Sequence, residues 1–201
     1  MGSQVFPTKN NLIATKKSLS LAKLGYDLMD RKKNILVREM MGMIDEIGTV
    51  QSDISSAYAQ AYNALQQAHL TMGHCSDFAD CVPVDNSLSV SMRSVMGVEL
   101  PSFSIDKNNL RLYYGMNSTN SLLDEAYIKF NEAKQLTVKL AEIESNVIRL
   151  ADAIKKTQKR TNALNNVMIP KFTATVKFIS DALDEKERED FSRLKVIKRN
   201  L

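Results

Sequence analysis

The chain has 201 residues, of which 44% are hydrophobic, 25% charged and only 6% aromatic, and its formal net charge is +4. One domain fits this length, and the scarcity of aromatic residues, glycine (7) and proline (4) argues against a compact β-sheet protein and favours long helices. So small a net charge does not by itself indicate nucleic-acid binding.

Apolar residues recur at heptad spacing through the N-terminal part of the chain. Fifteen of seventeen a and d positions are apolar, the exceptions being Thr15 and Lys33, and the register does not slip. This pattern is typical of a left-handed coiled coil. With Pro7-Thr8 as a helix start and Gly73 as a stop, it predicts a coiled-coil helix over residues 8–72. The positions are Leu12, Thr15, Leu19, Ala22, Tyr26, Met29, Lys33, Leu36, Met40, Met43, Ile47, Val50, Ile54, Ala57, Ala61, Ala64 and Ala68.

The middle segment, residues 73–120, has the period of two that is typical of strands. The stretches "SLSVSM" and "NLRLYY" alternate apolar and polar residues, and turn-forming residues lie between them, so we predict a small β-hairpin or meander. The alternating residues are Leu88, Val90, Met92, Leu110, Leu112 and Tyr114, and the turn residues are Gly97, Pro101, Asp106, Asn108 and Asn109.

A second heptad series begins at Leu122, and eleven of its fourteen positions are apolar. It predicts a coiled-coil helix over residues 121–201, broken or kinked near Pro170 because proline disfavours helix at the residue before it. The series runs through Leu122, Ala126, Lys129, Ala133, Leu136, Leu140, Ile143, Val147, Leu150, Ile154, Thr157, Thr161, Leu164 and Met168.

Two heptad arms joined by a short middle segment should fold back on each other. The predicted fold is therefore mainly α: a long antiparallel two-helix left-handed coiled coil with a small β-hairpin and short-helix middle segment. A protein of this kind has little core of its own, and we expect it to connect, space or transmit rather than to catalyse a reaction.

Two groups of residues could carry chemistry, and for both a structural explanation is preferred. The first group has residue types that bind zinc, but five residues separate its cysteines where zinc sites have two to four. It comprises His69, His74, Cys75, Asp77, Asp80 and Cys81. The carboxylates between Asp181 and Asp190 are typical of a solvated helix face with i,i+4 partners such as Glu189 and Arg193. No catalytic, cofactor-binding or metal-binding residue is predicted.

Basic clusters lie at Lys16-Lys17, Arg31-Lys32-Lys33, Lys155-Lys156, Lys159-Arg160 and Lys198-Arg199. They are spread over both arms without interleaved aromatic residues, so no nucleic-acid partner is expected. They are either solvated or face an acidic protein partner. No signal peptide, membrane span or disulfide framework is evident, and we expect a cytoplasmic chain without direct membrane insertion.

The stretch "TQKRTNALNNVMIP" resembles a signature of the D subunit of the V-type and A-type rotary ATPases. Thr161 and Asn165 depart from it, since Val and Glu are usual there. Further motifs resemble the family in order along nearly the whole chain: "FPTKNNL", "LAKLGYDLMDRKKNIL", "GVELPSF" and "LDEKEREDFSRLKVIK". The residues that match the signature are Thr157, Lys159, Arg160, Asn162, Ala163, Leu164, Ile169 and Pro170.

The resemblance implies a non-catalytic rotor axle of an ATP-driven proton or sodium pump, or of the corresponding ATP synthase. It implies insertion into a hexamer of A and B subunits, binding of the F subunit, and reception by a socket-like C or d subunit of the membrane rotor. The complex would hold the chain peripherally on the cytoplasmic face of the membrane. Candidate hexamer contacts are Lys156, Lys159, Arg160 and Asn162. The alternative is an unrelated coiled-coil adaptor or tether.

Overall fold

A computed structural model describes residues 6–105, 113–115 and 119–199. In chain order the elements are α1 (Lys9–Met72), α2 (Ser76–Asp80), β1 (Ser89–Val95), β2 (Val98–Ser104), α3 (Ser121–Ala163), a π-helical turn (Leu164–Met168) and α4 (Ile169–Arg199). The chain divides into two compact units: unit 1 is Met1–Ile35 with Ile154–Leu201, and unit 2 is Leu36–Ala153.

Local chemistry sets the ends of α1. The Asn11 backbone N–H donates to Thr8 Oγ1 at 3.2 Å, so Thr8 caps the first turn. The helix ends at Met72, and Gly73 follows with φ at +80°, a conformation that glycine adopts without a steric penalty. Between these ends α1 is one helix of 64 residues.

The unit 2 parts of α1 and α3 pack antiparallel, which confirms the predicted helix pairing. Lys139 Nζ lies 2.9 Å from Glu46 Oε1. Further along the pair, the Tyr62 and Phe130 rings meet edge to face with centroids 5.3 Å apart. The connecting segment packs a small core of Ala68, Cys75 and Leu123, with Met72, Phe78, Tyr114 and Leu122 against it.

The two strands form an antiparallel hairpin, as expected from the fold class, but the strand that pairs with β1 lies in a stretch that the sequence pattern had assigned to turns. Strand β2 contains Pro101, which lies opposite Met92, whereas the sequence pattern had assigned Pro101 to a turn. Only Met96 and Gly97 form the turn, with φ at 50° and 76°, as a two-residue hairpin loop of this type requires. Of the predicted second strand, Leu110 and Leu112 lie outside the described residues.

The register explains why Pro101 is tolerated inside a strand. Val95 pairs with Val98 beside the turn, so the pairs alternate and Pro101 falls at a position whose N–H would point away from β1. No ladder hydrogen bond is lost there.

Side chains of α3 bond to the outward-facing backbone groups of β2. Two residues after Pro101, the Phe103 N–H donates to Glu142 Oε2 of α3 at 3.1 Å. Arg149 Nη1 of α3 donates to the outward Glu99 carbonyl at 3.2 Å. Side chains of α3 therefore cover the outer edge of β2.

Unit 1 is also built from antiparallel helices. Lys9 Nζ of α1 lies 3.1 Å from Glu187 Oε1 of α4, and a Cβ placed on Gly25 would lie 4.0 Å from Leu164 Cδ1. Ala22, Thr157, Thr161 and Ile179 are buried.

In unit 1 the helical structure continues from α3 through the π turn into α4, which contains Pro170. In the π turn, the Ile169 N–H donates to the Leu164 carbonyl five residues earlier. The widened turn lies directly before Pro170, whose ring disfavours regular α-helix in the residues that precede it.

Candidate functional site

The candidate site is the segment of α3 just before the π turn, in unit 1. Lys156, Lys159, Arg160 and Asn162 are all exposed. The Asn162 amide oxygen accepts a hydrogen bond from Gln158 Nε2 at 2.8 Å. Helical spacing places the lysines and arginine on the outward side of α3, so their charged ends are available to a partner.

The opposite side of this segment carries Thr157 and Thr161, which are only 6% and 3% exposed. Thr161 Oγ1 donates to the Thr157 carbonyl at 3.0 Å, so the hydroxyl is satisfied within its own helix and the methyl group is left to pack. Buried threonines on one side and cations on the other make this an amphipathic helix whose seam is unusually polar.

The seam of α1 also contains a charged residue, Lys33. Its Nζ lies 2.7 Å from Asp30 Oδ1, one turn earlier on the same helix. The hydrogen bond from Lys33 holds the pKa of the Asp30 carboxyl below its usual value. The aliphatic part of the lysine side chain lies along the seam, and Asp30 neutralises its charge at the edge of the seam. The apolar packing of the seam therefore tolerates this charged residue.

Nearly all of the other heptad positions are buried or half-buried. None of the seventeen α1 positions is exposed, and Leu36, Val50 and Ala61 are among the buried ones. In the series from Leu122, only Met168 of the fourteen is exposed. The expected seam residues Leu12, Leu19, Met29, Ile47, Leu140, Val147, Ile154 and Leu164 are all half-buried.

Charge is strongly segregated between the units. Unit 1 carries 19 Lys and Arg against 8 Asp and Glu, whereas unit 2 carries 8 against 15. Six of the eight unit 1 carboxylates lie between Asp181 and Asp190. Almost all the charged residues in the rest of that unit are therefore basic. The whole-chain charge of +4 conceals this asymmetry, and the sequence reasoning missed it.

Several side chains of the other two candidate groups have partners within their own segments. His69 Nδ1 lies 3.0 Å from the Gly73 carbonyl, Cys75 is buried and Cys81 is exposed. Among the described residues, no three His, Cys, Asp or Glu side chains gather closely enough to hold a metal ion. In the acidic run, Arg193 pairs with Glu189 at 3.7 Å and Arg188 with Glu185 at 3.7 Å, all of them exposed.

Sequence reasoning also missed a polar stripe on α3 in unit 2. Asn146 is 4% exposed, and its Oδ1 has no hydrogen-bond partner among the residues that the structure describes. It lies four residues after Glu142 and three before Arg149, the two side chains that bond to the outer edge of β2. The sequence does contain a signal for this stripe: the three polar residues are spaced by four and three, which places them on one face of the helix beside the apolar seam.

A short loop before β1 is also tied to α3 in unit 2. Lys134 Nζ lies 2.7 Å from Asp85 Oδ2, and the Ser87 N–H donates to Asp85 Oδ1 at 2.9 Å. The hydrogen bond from Lys134, followed by those from Ser87, lowers the pKa of Asp85 to about 2. Nearby, Tyr114 donates to Asp124 at 2.7 Å, and burial and this carboxylate raise the pKa of the phenol.

None of the helices in the described ranges combines the length and the apolar character that crossing a membrane would require. Antiparallel helix pairs with apolar seams, a basic segment on one helix and a small hairpin define a two-helix coiled-coil protein with exposed charged faces.

The chain belongs to the family of ATP synthase D subunits, whose model matches residues 11–199. It is 42% identical over 196 residues to the D subunit of the V-type ATP synthase of Thermotoga neapolitana, an alignment that covers 96% of this chain and 97% of that relative. The D subunit of the A-type ATP synthase of Thermococcus kodakarensis is 36% identical, with 96% and 93% covered. That of Methanosphaera stadtmanae is 34% identical, with 97% and 94% covered.

Proposed function

We propose that this chain is the central-stalk rotor subunit of a V/A-type ATPase. In this role it transmits torque between ATP hydrolysis or synthesis in a hexamer of A and B subunits and ion translocation, of protons or sodium, by a membrane ring. The chain itself is non-catalytic and binds no cofactor. Membership of the D-subunit family supports a place in the complex, and the features of the molecule support the rotor role.

The observation that carries the proposal is the uninterrupted seam of α1. The helix runs for 64 residues, and all seventeen of its a and d positions are buried or half-buried. A protein that passes torque must resist bending and twisting, and knobs-into-holes packing along a continuous seam gives a helix pair that resistance. A loose adaptor has no need of so regular a seam.

Contact with the hexamer is assigned to Lys156, Lys159, Arg160 and Asn162. Their exposed ends form polar, solvent-screened interactions that each contribute little and exchange readily. A contact of this kind lets the chain move from one position to the next during rotation, whereas a large apolar contact at the same place would hold one position too tightly. The F subunit and a socket-like C or d subunit complete the set of proposed partners, and the chain is peripheral on the cytoplasmic face.

The direct test is ATP hydrolysis by the A–B hexamer from the same source, with and without this chain and the F subunit. We expect the chain to co-elute with the hexamer and to change its turnover. If the chain is helical by circular dichroism yet neither binds nor alters hydrolysis, the rotor assignment fails. An unrelated coiled-coil adaptor then becomes the better account.

A further inference from the structure

The two outer edges of the hairpin differ in how they are protected. Side chains of α3 bond to the backbone of β2 at Phe103 and Glu99. On the other side, every residue of β1 from Ser89 to Ser94 is exposed. Among the hydrogen bonds that the structure describes, none joins the β1 backbone to any element except β2. We call the side of β1 that faces away from β2 the open edge.

The pairing register shows which backbone groups lie along the open edge. Val95 pairs with Val98 beside the turn, so hydrogen-bonded and non-hydrogen-bonded pairs alternate from there. The N–H and C=O groups of Val90, Met92 and Ser94 therefore point away from β2. A strand that lay along the open edge would pair with these groups, because they recur at the spacing of a sheet ladder.

Three apolar side chains accompany these backbone groups. Leu88, directly before β1, is 48% exposed, and Val90 and Met92 are 56% and 59% exposed. Alternation along an extended chain places all three on one face. An added strand that carried apolar residues on the same face would therefore bury them, which gives the open edge an apolar contact as well as backbone hydrogen bonds.

β1 lacks the features that usually protect an edge strand. Natural sheets prevent unwanted pairing with lysine, proline or a bulge at the edge. β1 contains neither lysine nor proline, its register with β2 is continuous, and Arg93 is its one charged residue. The hydroxyls of Ser89 and Ser91 donate to carbonyl groups of β2 at 3.2 and 3.4 Å, so they lie towards β2 rather than across the open edge.

We infer that the open edge accepts an extended segment of a partner protein as a third strand. The unpaired backbone groups require an extended partner, and the apolar face of Leu88, Val90 and Met92 requires apolar side chains at alternate positions of that partner. Unit 2 carries seven more acidic than basic residues, so the segment should also carry lysine or arginine. The inference goes beyond the proposed function and does not depend on it.

The charge also argues against a second copy of this chain as the occupant. The β1 strands of two copies have compatible backbone groups and could pair antiparallel through their open edges. Such a pair would bring two acidic units together, and their like charges would repel each other. A basic segment removes this repulsion and replaces it with attraction.

The test uses the intact chain and a fluorescein-labelled peptide in which valine alternates with threonine between terminal lysines. Anisotropy reports binding of this lysine peptide. In the variant M92P, proline removes one outward N–H and leaves the ladder between β1 and β2 intact, as Pro101 does in β2. The matched control is M92A, which removes the same side chain and keeps the N–H. A second variant, V90P, makes the proline change at the neighbouring outward position.

Hydrogen exchange followed by NMR reports both the hairpin and the added strand. The inward amides of Ser91 and Arg93 bond to β2, so their slow exchange shows that a variant keeps the hairpin. The outward amides of Val90, Met92 and Ser94 should exchange quickly in the free wild-type chain, and binding of the lysine peptide should slow them.

We expect M92P and V90P to bind the lysine peptide more than about tenfold more weakly than M92A does, with the Ser91 and Arg93 amides still protected. A matched peptide with glutamate in place of lysine should bind the wild type more weakly than the lysine peptide. This difference between the two peptides should shrink as salt is raised, because exposed charges are screened.

The inference is overturned if the lysine peptide does not bind the wild type, or if it binds without slowing exchange at the outward amides. Equal binding by M92A and by a proline variant that keeps its hairpin would also overturn it. Equal binding of the lysine and glutamate peptides would exclude a basic partner. A wild-type dimer in analytical ultracentrifugation that M92P fails to form would show that a second copy occupies the open edge. None of these results concerns hexamer binding, so the proposed function is tested separately.

Discussion

Thr161 shows how a polar residue is accommodated in an apolar seam. Its hydroxyl bonds only to the Thr157 carbonyl of its own helix among the hydrogen bonds described, and the residue is 3% exposed. The bond competes with regular helix hydrogen bonding and leaves a hydroxyl desolvated. Sequence reasoning found this residue as a departure from both the heptad and the family pattern, but only the structure shows how the hydroxyl is satisfied.

Substitutions of Thr161 measure what its hydroxyl contributes to stability. Thr161→Val replaces it with a methyl group of similar volume and removes the cost of desolvating a hydroxyl, so we expect the free energy of unfolding to rise by about 0.5–1 kcal/mol. Thr161→Ala removes both groups, and it should lower that free energy by about 1 kcal/mol through lost packing. Urea unfolding followed by circular dichroism measures both changes. A valine variant less stable than the wild type would show that the hydrogen bond from Thr161 Oγ1 to the Thr157 carbonyl stabilises the fold.

The ion pair between Asp85 and Lys134 gives a prediction with a defined pH window. The pKa of Asp85 is depressed to about 2, below the value of about 3.9 expected in an unfolded chain. A depressed carboxyl stabilises the fold above its unfolded pKa, and this contribution disappears as pH falls through the folded pKa. Asp85→Asn removes the contribution.

The melting temperature of D85N should therefore lie below that of the wild type by a constant amount from pH 5 to pH 7. The difference should shrink between about pH 4 and pH 2. Thermal unfolding of both proteins at pH 7, 4 and 2.5 measures it. A difference that does not change with pH would show that the Asp85 charge does not stabilise the loop.

At the scale of the element, the hairpin depends on its two-residue turn. Gly97 has φ at +76°, which an L side chain adopts only with strain, although no atom lies within 4 Å of an added Cβ. We expect Gly97→Ala to lower the free energy of unfolding by about 1 kcal/mol.

Gly48 is the matched control, because it lies inside α1 with equally open surroundings. Gly48→Ala should raise the free energy of unfolding by about 0.5–1 kcal/mol, since alanine is the better helix former. Denaturant titration of both variants measures the two values. Equal and same-signed effects would show that the backbone conformation at Gly97 does not control hairpin stability.

Predictability also differs from element to element. The helices follow from the sequence because their heptad register is long, and each position repeats the same evidence. The hairpin was predicted, but β2 lies where a turn was expected, because Pro101 is a turn signal in isolation. Its tolerance depends on pairing register and on Glu142 and Arg149 of α3, which are distant in sequence. The π turn before Pro170 has no pattern of its own in the sequence.

At the scale of the whole molecule, the basic face of α3 predicts a charge-dependent interaction. K156Q/K159Q/R160Q should weaken binding to the A–B hexamer by about tenfold at low salt, and by less at high salt, because exposed charges are screened. R38Q/R93Q/K129Q removes the same number of positive charges from unit 2 and should bind like the wild type. Titration at two ionic strengths measures both. Equal losses in the two variants would mean that only net charge matters.

Some functional features arise only when the chain is considered as a whole. Heptads and motifs indicated a coiled-coil component of a rotary ATPase, and the match to the D-subunit family agrees with this. The segregation of charge between the units depends on which distant residues fold together, so a running total along the sequence hides it.

As a rotor subunit, this chain should turn within the hexamer. The most direct measurement attaches a bead to the chain through Cys81, with the A–B hexamer and the F subunit assembled and the hexamer fixed to a surface. Addition of ATP should produce unidirectional, stepwise rotation of the bead that stops when ATP is removed. A bead that stays in place while the same complexes hydrolyse ATP would contradict the rotor assignment.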